Sequence, residues 1–322
     1  MPAPDSTSRP STAEQLALLA SADLVIEGRM PWSSNATFLC ELWPAGERPD
    51  AGIDGKPEEH DASPPPDEWD EDEWDDDDPR WETGEPDEPD EDLEDHADTE
   101  AAAHDLDERP KPAAPSRLPG TGGPLGRAIY KPHQGERPLW DFPDGLYRRA
   151  AGAYQLAEAI GWDCIPPTIV RDGPFGPGSV QLFVDADFDQ HHFTLVEHER
   201  HHDQLKRLCA FDIVANSTDR KGGHVLIDPQ DHLWGIDNDL CLHAEFKLRT
   251  VIWEFALEPL PADLADDLAA FVERGPAALS DDLCALLDPL ERDALFQRAR
   301  ALLSEGRFPT DPTGRRYPWP LV

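Results

Sequence analysis

The pattern of apolar and polar residues near the start of the chain predicts a short helix followed by two strands. Ser11 and Glu14 have the spacing of a capping box, which begins a helix. Two β-type runs follow, at Asp23–Met30 and Ala36–Leu42, and a polar turn at 31–35 separates them. Two such runs around a short polar turn predict an antiparallel hairpin.

Beyond residue 123 the pattern predicts more strands and one longer helix. Arg127–Pro132 has β character, and residues 144–160 place apolar side chains at helical spacing before Gly161, a favourable C-cap. Runs at 166–170 and 180–184 are bounded by glycine and proline and predict two further strands. This part of the chain therefore completes a small sheet.

The rest of the sequence predicts a mainly helical region. The chain turns helical after Asp187, residues 216–240 predict loop, strand, turn, strand and loop, and everything beyond 247 has helical spacing. This order predicts an α+β fold of two lobes, a small β-rich N-lobe and a larger helical C-lobe. The predicted divisions are a tail and short helix (1–20), the first N-lobe hairpin (21–44), an acidic insertion (45–123), the rest of the N-lobe (124–185) and the C-lobe (186–322).

The acidic insertion has the composition of a disordered segment. Between Glu58 and Arg109 there are 27 Asp or Glu against two Arg, a net charge of −25. Few apolar side chains are available there to offset the entropy lost on ordering, so we expect disorder. Tryptophans recur at 69, 74 and 81. Two interpretations stay open: a solvated acidic tract, or anchors that fold onto a basic partner.

Charge and cysteine content exclude several classes of function. The net charge of −39 over 322 residues argues against non-specific binding to nucleic acid, and it disfavours an anionic membrane surface. No run has the length of an integral membrane segment. The first apolar stretch also lacks the preceding basic segment that a signal peptide has, so we expect no signal peptide. The five cysteines are odd in number and lack a Cys-x-x-Cys spacing, which indicates a reducing, cytoplasmic location.

Two features of the predicted N-lobe have the chemistry of a phosphate site. The hairpin turn contains Ser33, Ser34 and Asn35, and small residues at a strand turn expose backbone N–H groups that can cover phosphates. Lys131 lies on a predicted strand, from which a lysine can neutralise the α- and β-phosphates of a nucleotide. The alternatives are an ordinary turn and a solvated lysine at a strand edge.

Two features of the predicted C-lobe have the chemistry of proton transfer and metal binding. Asp219 precedes a short loop and an apolar strand, and an aspartate so placed can orient or deprotonate an attacking hydroxyl. Asp237 and Asp239 follow the next strand and offer the oxygen ligands that Mg²⁺ prefers, and His224 is a further candidate ligand. A polar turn and an acidic loop are the alternatives. Along the chain, the turn at 33–35, Lys131, Asp219 and the pair Asp237 and Asp239 follow one another in an order that phosphoryl transfer would explain.

The chain resembles the phosphatidylinositol 3-/4-kinase superfamily, and within it the type II phosphatidylinositol 4-kinases and their uncharacterised actinobacterial relatives. The resemblance covers about residues 23–44 and 124–258. The motifs that carry it are Lys131-Pro132 with Gly135-Glu136-Arg137-Pro138, Ile165-Pro-Pro-Thr168, Gln181-Leu-Phe-Val184, Asn216-Ser-Thr-Asp219-Arg220 and Ile236-Asp-Asn-Asp-Leu240.

This resemblance implies an atypical protein-kinase fold and an ATP-dependent kinase that uses Mg²⁺. Lys131 would bind the ATP phosphates, and Phe183 and Val184 would form the hinge beside adenine. Asp219, with Arg220 next to it, would supply the catalytic aspartate. Asp237 would bind the metal, together with the candidates His224 and Asp239.

Two departures from the family pattern leave a pseudokinase or nucleotide-binding regulatory protein open. His224 stands where the family has a metal-binding asparagine, and imidazole suits Mn²⁺ better than Mg²⁺. Kinase folds also pair the strand lysine with a helix glutamate, but the predicted helix has alanine at 150 and 151. Glu136 precedes that helix, and Glu158 lies about two turns further along it.

Other enzyme classes also stay open at this point. His198-Glu199-x-x-His202 matches the zinc-metallopeptidase motif, but five histidines lie between 191 and 202 and the flanks are charged, which makes a chance match the better explanation. A nucleotidyl transferase would use the same groups as a kinase. The acceptor is not specified by a fold, and the acidic chain favours a protein or small molecule over a lipid.

Overall fold

The computed structural model describes residues 10–30, 33, 35–48 and 123–322. Ser34 lies outside the described residues. So does nearly all of the predicted acidic insertion, including the three tryptophans.

Five antiparallel strands form the sheet of the first lobe. They are β1 (Asp23–Arg29), β2 (Phe38–Trp43), β3 (Gly126–Pro132), β4 (Thr168–Gly173) and β5 (Gly176–Leu182), in the spatial order β1-β2-β3-β5-β4. The predicted hairpin of β1 and β2 is confirmed, with Asp23 opposite Trp43. The predicted strand at 180–184 is shifted, because β5 begins at Gly176 and ends at Leu182.

Helix α1 (Thr12–Ser21) covers one side of this sheet. Its predicted capping box is present, since Ser11 N donates to the Glu14 carboxylate at 2.8 Å and Ser11 Oγ accepts from Glu14 N. Leu19 is fully buried and packs with apolar side chains of the strands. These strand residues are Leu24, Cys40, Leu42, Ala128, Tyr130 and Val180.

Helix α2 (Leu146–Ile160) lies between the sheet and the helical lobe. It contacts β4 and β5 on one side and α5 and α6 on the other. The predicted end of the helix is confirmed, because Gly161 has a φ of 97°, a left-handed conformation that glycine adopts without steric cost. Small side chains such as Ala150 and Ala153 let the helix approach both lobes closely.

The second lobe contains α3 (His192–Leu195), α4 (His202–Ala215), α5 (Ala262–Arg274), α6 (Asp281–Leu286) and α7 (Pro289–Glu305). A two-stranded sheet of β6 (Val225–Ile227) and β7 (Leu233–Gly235) precedes α5, and its predicted antiparallel pairing is confirmed. The α+β fold with a small sheet lobe and a larger helical lobe therefore agrees with the prediction. None of the helices in the described part of the chain has both the length and the hydropathy of a membrane span.

The prediction that everything beyond 247 is helical is wrong for residues 248–261 and again for residues 306–322, which follow the end of α7. Backbone groups there bond sideways to other segments: Arg220 N donates to Arg249 O, and Leu257 N donates to Phe308 O. Leu257 also has a φ of 66°, outside the helical region. These long-range bonds replace the local bonds of a helix, so α5 begins only at Ala262.

Candidate functional site

A cavity of about 290 Å³ lies between the first sheet and the loop that follows β7. Both lobes contribute to its walls. Its lining residues are Met30, Ser33, Thr37, Ile129, Lys131, Ala150, Thr168, Ser179, Gln181, His224, Ile236, Asp237, Asn238 and Asp239.

Lys131 enters this cavity from β3, where it lies opposite Ser179 of β5. Its ammonium donates to Asp237 Oδ1 and lies 2.7 Å from Asp239 Oδ2. Burial disfavours the charge on Lys131, but the two neighbouring carboxylates outweigh burial and hold its pKa above the usual value. Lys131 therefore remains a cation, with two aspartates as its ion-pair partners.

The loop after β7 presents the two aspartates on either side of Asn238. Asp237 has a φ of 57°, a left-handed conformation that aspartate tolerates better than most residues. Asn238 Nδ2 donates to Gly235 O at 3.0 Å, and its Oδ1 accepts from Arg220 at 2.6 Å. The buried Asn238 thus fixes the backbone that points its neighbours at Lys131.

The two carboxylates differ in their electrostatics. Lys131 lowers the pKa of Asp237 well below its usual range, against the opposing effect of burial. Burial raises the pKa of Asp239, and the adjacent Asp237 charge adds to this rise. Asp239 Oδ1 is buried and has no hydrogen-bond partner among the described residues. An unpartnered carboxylate oxygen beside a second carboxylate suits a hard divalent cation.

Asp219 lies at the edge of the same group of charges. Its carboxylate is 3.1 Å from Lys221 Nζ, and its backbone oxygen is 3.0 Å from His224 Nδ1. His224 Nε2 in turn lies 3.3 Å from Asp237 Oδ2. Burial raises the pKa of Asp219 and lowers that of His224, so the imidazole is neutral near pH 7. Contacts thus run from the Asp219 backbone through His224 to Asp237, while Asp219 itself is not among the residues that line the cavity.

Arg220 points inward, away from the cavity. Its side chain is fully buried and makes an ion pair with Asp212 of α4, 2.9 Å from Nη2 to Oδ1. It also donates to Ile236 O at 2.6 Å and to Asn238. These bonds tie the loop of Asp219 to the loop of Asp237, so the structure gives Arg220 a positioning role.

The β1–β2 turn lies over the cavity. Ser33 lines it and bonds Thr37 through the two hydroxyl oxygens at 2.8 Å. Asn35 Oδ1 accepts from Arg137 N at 3.0 Å, which holds the turn against the segment after β3.

Phe183 and Val184 do not line the cavity. Phe183 N donates to Arg127 O at 3.1 Å, and the Arg127 guanidinium stacks over the Phe183 ring. Sequence reasoning missed the lining residues Ile129 and Gln181. Ile129 was predictable, because alternate residues of a strand share a face and Lys131 is two positions later.

The glutamates considered as partners of Lys131 have other contacts. Glu136 caps α2, with its carboxylate accepting from Leu146 N at 3.0 Å and from Tyr147 N. Burial raises the pKa of Glu158, which lies beside Tyr154.

The histidine motif does not lie on one α-helix. Residues Glu199–His201 form a 3₁₀ turn and His202 begins α4. His202 Nε2 bonds Val196 O at 2.8 Å and its ring packs on Phe255. The two histidines therefore lack the shared helical face that a zinc peptidase requires.

Comparisons with known proteins give a relative in sequence and a similar solved structure. No family model matches the chain. It is 34% identical over 226 residues to Protein Rv2133c of Mycobacterium tuberculosis (strain ATCC 25618 / H37Rv), across 60% of this chain and 81% of that protein. It also resembles the crystal structure of a Helicobacter pylori proinflammatory kinase, CtkA, with a TM-score of 0.32 and 11% identity over 59% of this chain and 91% of that one.

Proposed function

We propose that this chain, which belongs to the family of Protein Rv2133c, is an ATP-dependent phosphotransferase of the phosphatidylinositol 3-/4-kinase-like type. The observation that carries the proposal is the meeting of Lys131 with Asp237 and Asp239 in a cavity beside Asp219. Phosphoryl transfer depends on positioning and charge neutralisation more than on covalent chemistry by the protein. A buried cation, paired carboxylates and a separate aspartate supply those needs.

In this proposal Lys131 and the β1–β2 turn bind the phosphates of ATP. The ammonium already lies between two carboxylates, so it can exchange one of them for a phosphate oxygen at little cost in charge pairing. Ser33 and Thr37, within and beside this turn, line the same cavity as Lys131. The nucleotide would thus lie between the sheet and the loop after β7.

Asp237 and Asp239 would hold the metal, with Asp239 Oδ1 free to accept it. A bound Mg²⁺ or Mn²⁺ would neutralise charge on the phosphates and offset repulsion between the two carboxylates. His224 is neutral near pH 7 and lies beside Asp237, which makes Mn²⁺ as well as Mg²⁺ compatible with the donor set.

Asp219 would orient the acceptor hydroxyl and accept its proton. Its carboxylate is partly exposed and lies outside the Lys131 ion pairs, so it is available to a second substrate. Burial raises the pKa of this carboxylate, which favours its taking up a proton, and Lys221 beside it opposes part of that rise. A base positioned apart from the metal ligands can orient the attacking hydroxyl while the metal neutralises the phosphates.

A protein or a small molecule is the acceptor that we propose. The net charge of −39 opposes approach to an anionic lipid surface. Five free cysteines, four of them buried, fit a reducing cytoplasm.

Calorimetric titration with ATP and Mg²⁺ tests binding, and mass spectrometry of the incubated chain tests transfer. We expect metal-dependent binding and a phosphate adduct. An AMP adduct would indicate nucleotidyl transfer, and binding without any turnover would indicate a pseudokinase. Absence of nucleotide binding at millimolar ATP would contradict the proposal.

A further inference from the structure

Thr168 and Gln181 form a hydrogen-bonded pair that fixes the direction of the Gln181 amide. Thr168 Oγ1 donates to Pro166 O at 2.8 Å, and Gln181 Nε2 lies 3.1 Å from Thr168 Oγ1. A hydroxyl has one proton, and the Thr168 hydroxyl uses it in the hydrogen bond to Pro166 O. Any second hydrogen-bond partner must therefore donate to Oγ1. The NH₂ group of Gln181 therefore faces Thr168, and its Oε1 faces away.

Gln181 presents this Oε1 to the cavity. It lies on β5, opposite Thr168 of β4 and opposite Ile129 of β3. Both it and Thr168 line the cavity, and no described residue donates a hydrogen bond to Oε1. Thr168 is only 2% exposed, so solvent cannot easily replace its bond and release the amide. The result is a hydrogen-bond acceptor held in a fixed direction.

The neighbourhood of this acceptor suits a planar base. Ile129 lies two residues before Lys131, on the same face of β3 and further from the phosphate-binding group. Met30, Ala150 and Ile236 add apolar walls around it. A nucleotide with its phosphates at Lys131 therefore directs its base toward the apolar part of the cavity, where Gln181 supplies a polar contact.

We propose that Gln181, oriented by Thr168, selects adenine over guanine nucleotides in this cavity. Adenine carries an exocyclic amine at position 6, which can donate to Oε1, whereas guanine carries an oxygen there, which cannot. Guanine would leave two acceptors facing each other without a proton between them, at a cost of about tenfold or more in affinity. The inference rests on the proposed nucleotide binding and adds the residue that sets its base preference.

The test compares Mg²⁺-loaded non-hydrolysable analogues of ATP and GTP by calorimetry. Gln181→Leu removes the acceptor and Thr168→Val removes the group that orients it; both should reduce the preference for ATP by about tenfold. The control is Val170→Thr, which introduces a hydroxyl at a 46% exposed position two residues further along β4, outside the cavity lining, and should leave the preference unchanged. Gln181→Leu keeps the Thr168–Pro166 bond, so the test survives if Thr168→Val fails to fold.

The outcomes separate this inference from the function on which it rests. An ATP preference in the parent that falls in Gln181→Leu supports it. Equal affinity of the parent for both analogues, or an unchanged preference in Gln181→Leu, overturns the role of Gln181 while nucleotide binding stands. Failure of the parent to bind either analogue overturns the proposed function itself.

Discussion

Arg220 and Asp212 form an ion pair beneath the two loops of the site, with both side chains at most 1% exposed. Arg220 Nε is also within 3.2 Å of both Asp212 oxygens, and Thr250 donates to Asp212 Oδ2 at 3.0 Å. Both carboxylate oxygens of Asp212 therefore accept hydrogen bonds from neighbouring side chains. The pair joins α4 to the loop of Asp219 and, through Ile236 O, to the loop of Asp237.

Removing one member of this pair should destabilise the whole fold. Arg220→Met leaves the Asp212 charge buried and unpaired, and we expect the free energy of unfolding to fall by about 3–5 kcal/mol. Urea denaturation measures it. Lys206→Met is the matched control, since Lys206 pairs with the half-exposed Glu258 at 2.8 Å and should cost about 1 kcal/mol or less. Equal losses in the two variants would contradict a structural role for Arg220.

Lys131→Met should lower stability as well as nucleotide affinity. Two carboxylates would remain in the cavity without their cation, and the free energy of unfolding near pH 7 should fall by about 2 kcal/mol. The loss is smaller than for a fully buried pair, because Asp237 is 42% exposed and solvent screens it. Millimolar Mg²⁺ should restore part of the loss. Thermal melting with and without Mg²⁺ measures this, and an unchanged midpoint without metal would show that the aspartates do not depend on Lys131.

In the loop after Asp219, Gly223 should tolerate an added methyl group and Gly222 should not. Gly222 N donates to Leu321 O at 2.7 Å, and a Cβ there would lie 2.9 Å from the Phe193 ring and 3.3 Å from that oxygen. At Gly223 the nearest atom would be 3.9 Å away. Gly222→Ala should therefore cost about 1–3 kcal/mol of unfolding free energy and Gly223→Ala less than about 0.5 kcal/mol. Similar melting curves for the two would argue against the contact with Leu321.

Substitutions at Asp219 and at Asp237 should have different effects on turnover and on ATP binding. Asp237→Asn weakens the metal site and should abolish metal-dependent ATP binding, whereas Asp219→Asn should spare binding and reduce turnover by at least about 10²-fold. Calorimetry and ATP consumption, measured on both variants, distinguish the two effects. The reverse pattern would mean that the two roles are exchanged.

The sequence predicted those parts of the fold that local chemistry decides. The capping box at Ser11, the β1–β2 hairpin and the left-handed end of α2 at Gly161 all follow from short-range spacing. The meeting of the loops that carry His224 and Asp237 was also predictable, because the antiparallel pairing of β6 with β7 brings the start of one strand to the end of the other.

Long-range contacts were not predictable in the same way. The irregular path of 248–261 depends on bonds to distant segments, such as that between Arg220 N and Arg249 O. The bonds of Lys131 to Asp237 and Asp239 span more than a hundred residues, so no spacing rule indicates them. The inward direction of Arg220 depends on Asp212, which lies on a different element.

Transfer of label from ATP tests the central claim most directly. The chain is incubated with Mg²⁺ and either γ-labelled or α-labelled ATP, and label is followed into the chain, added proteins and free phosphate. The account predicts that γ-label leaves ATP in the parent, that Asp219→Asn loses this activity while still binding ATP, and that α-label stays with the nucleotide. Retention of γ-label by the parent under conditions where ATP is bound, or equal release by the parent and Asp219→Asn, would contradict it.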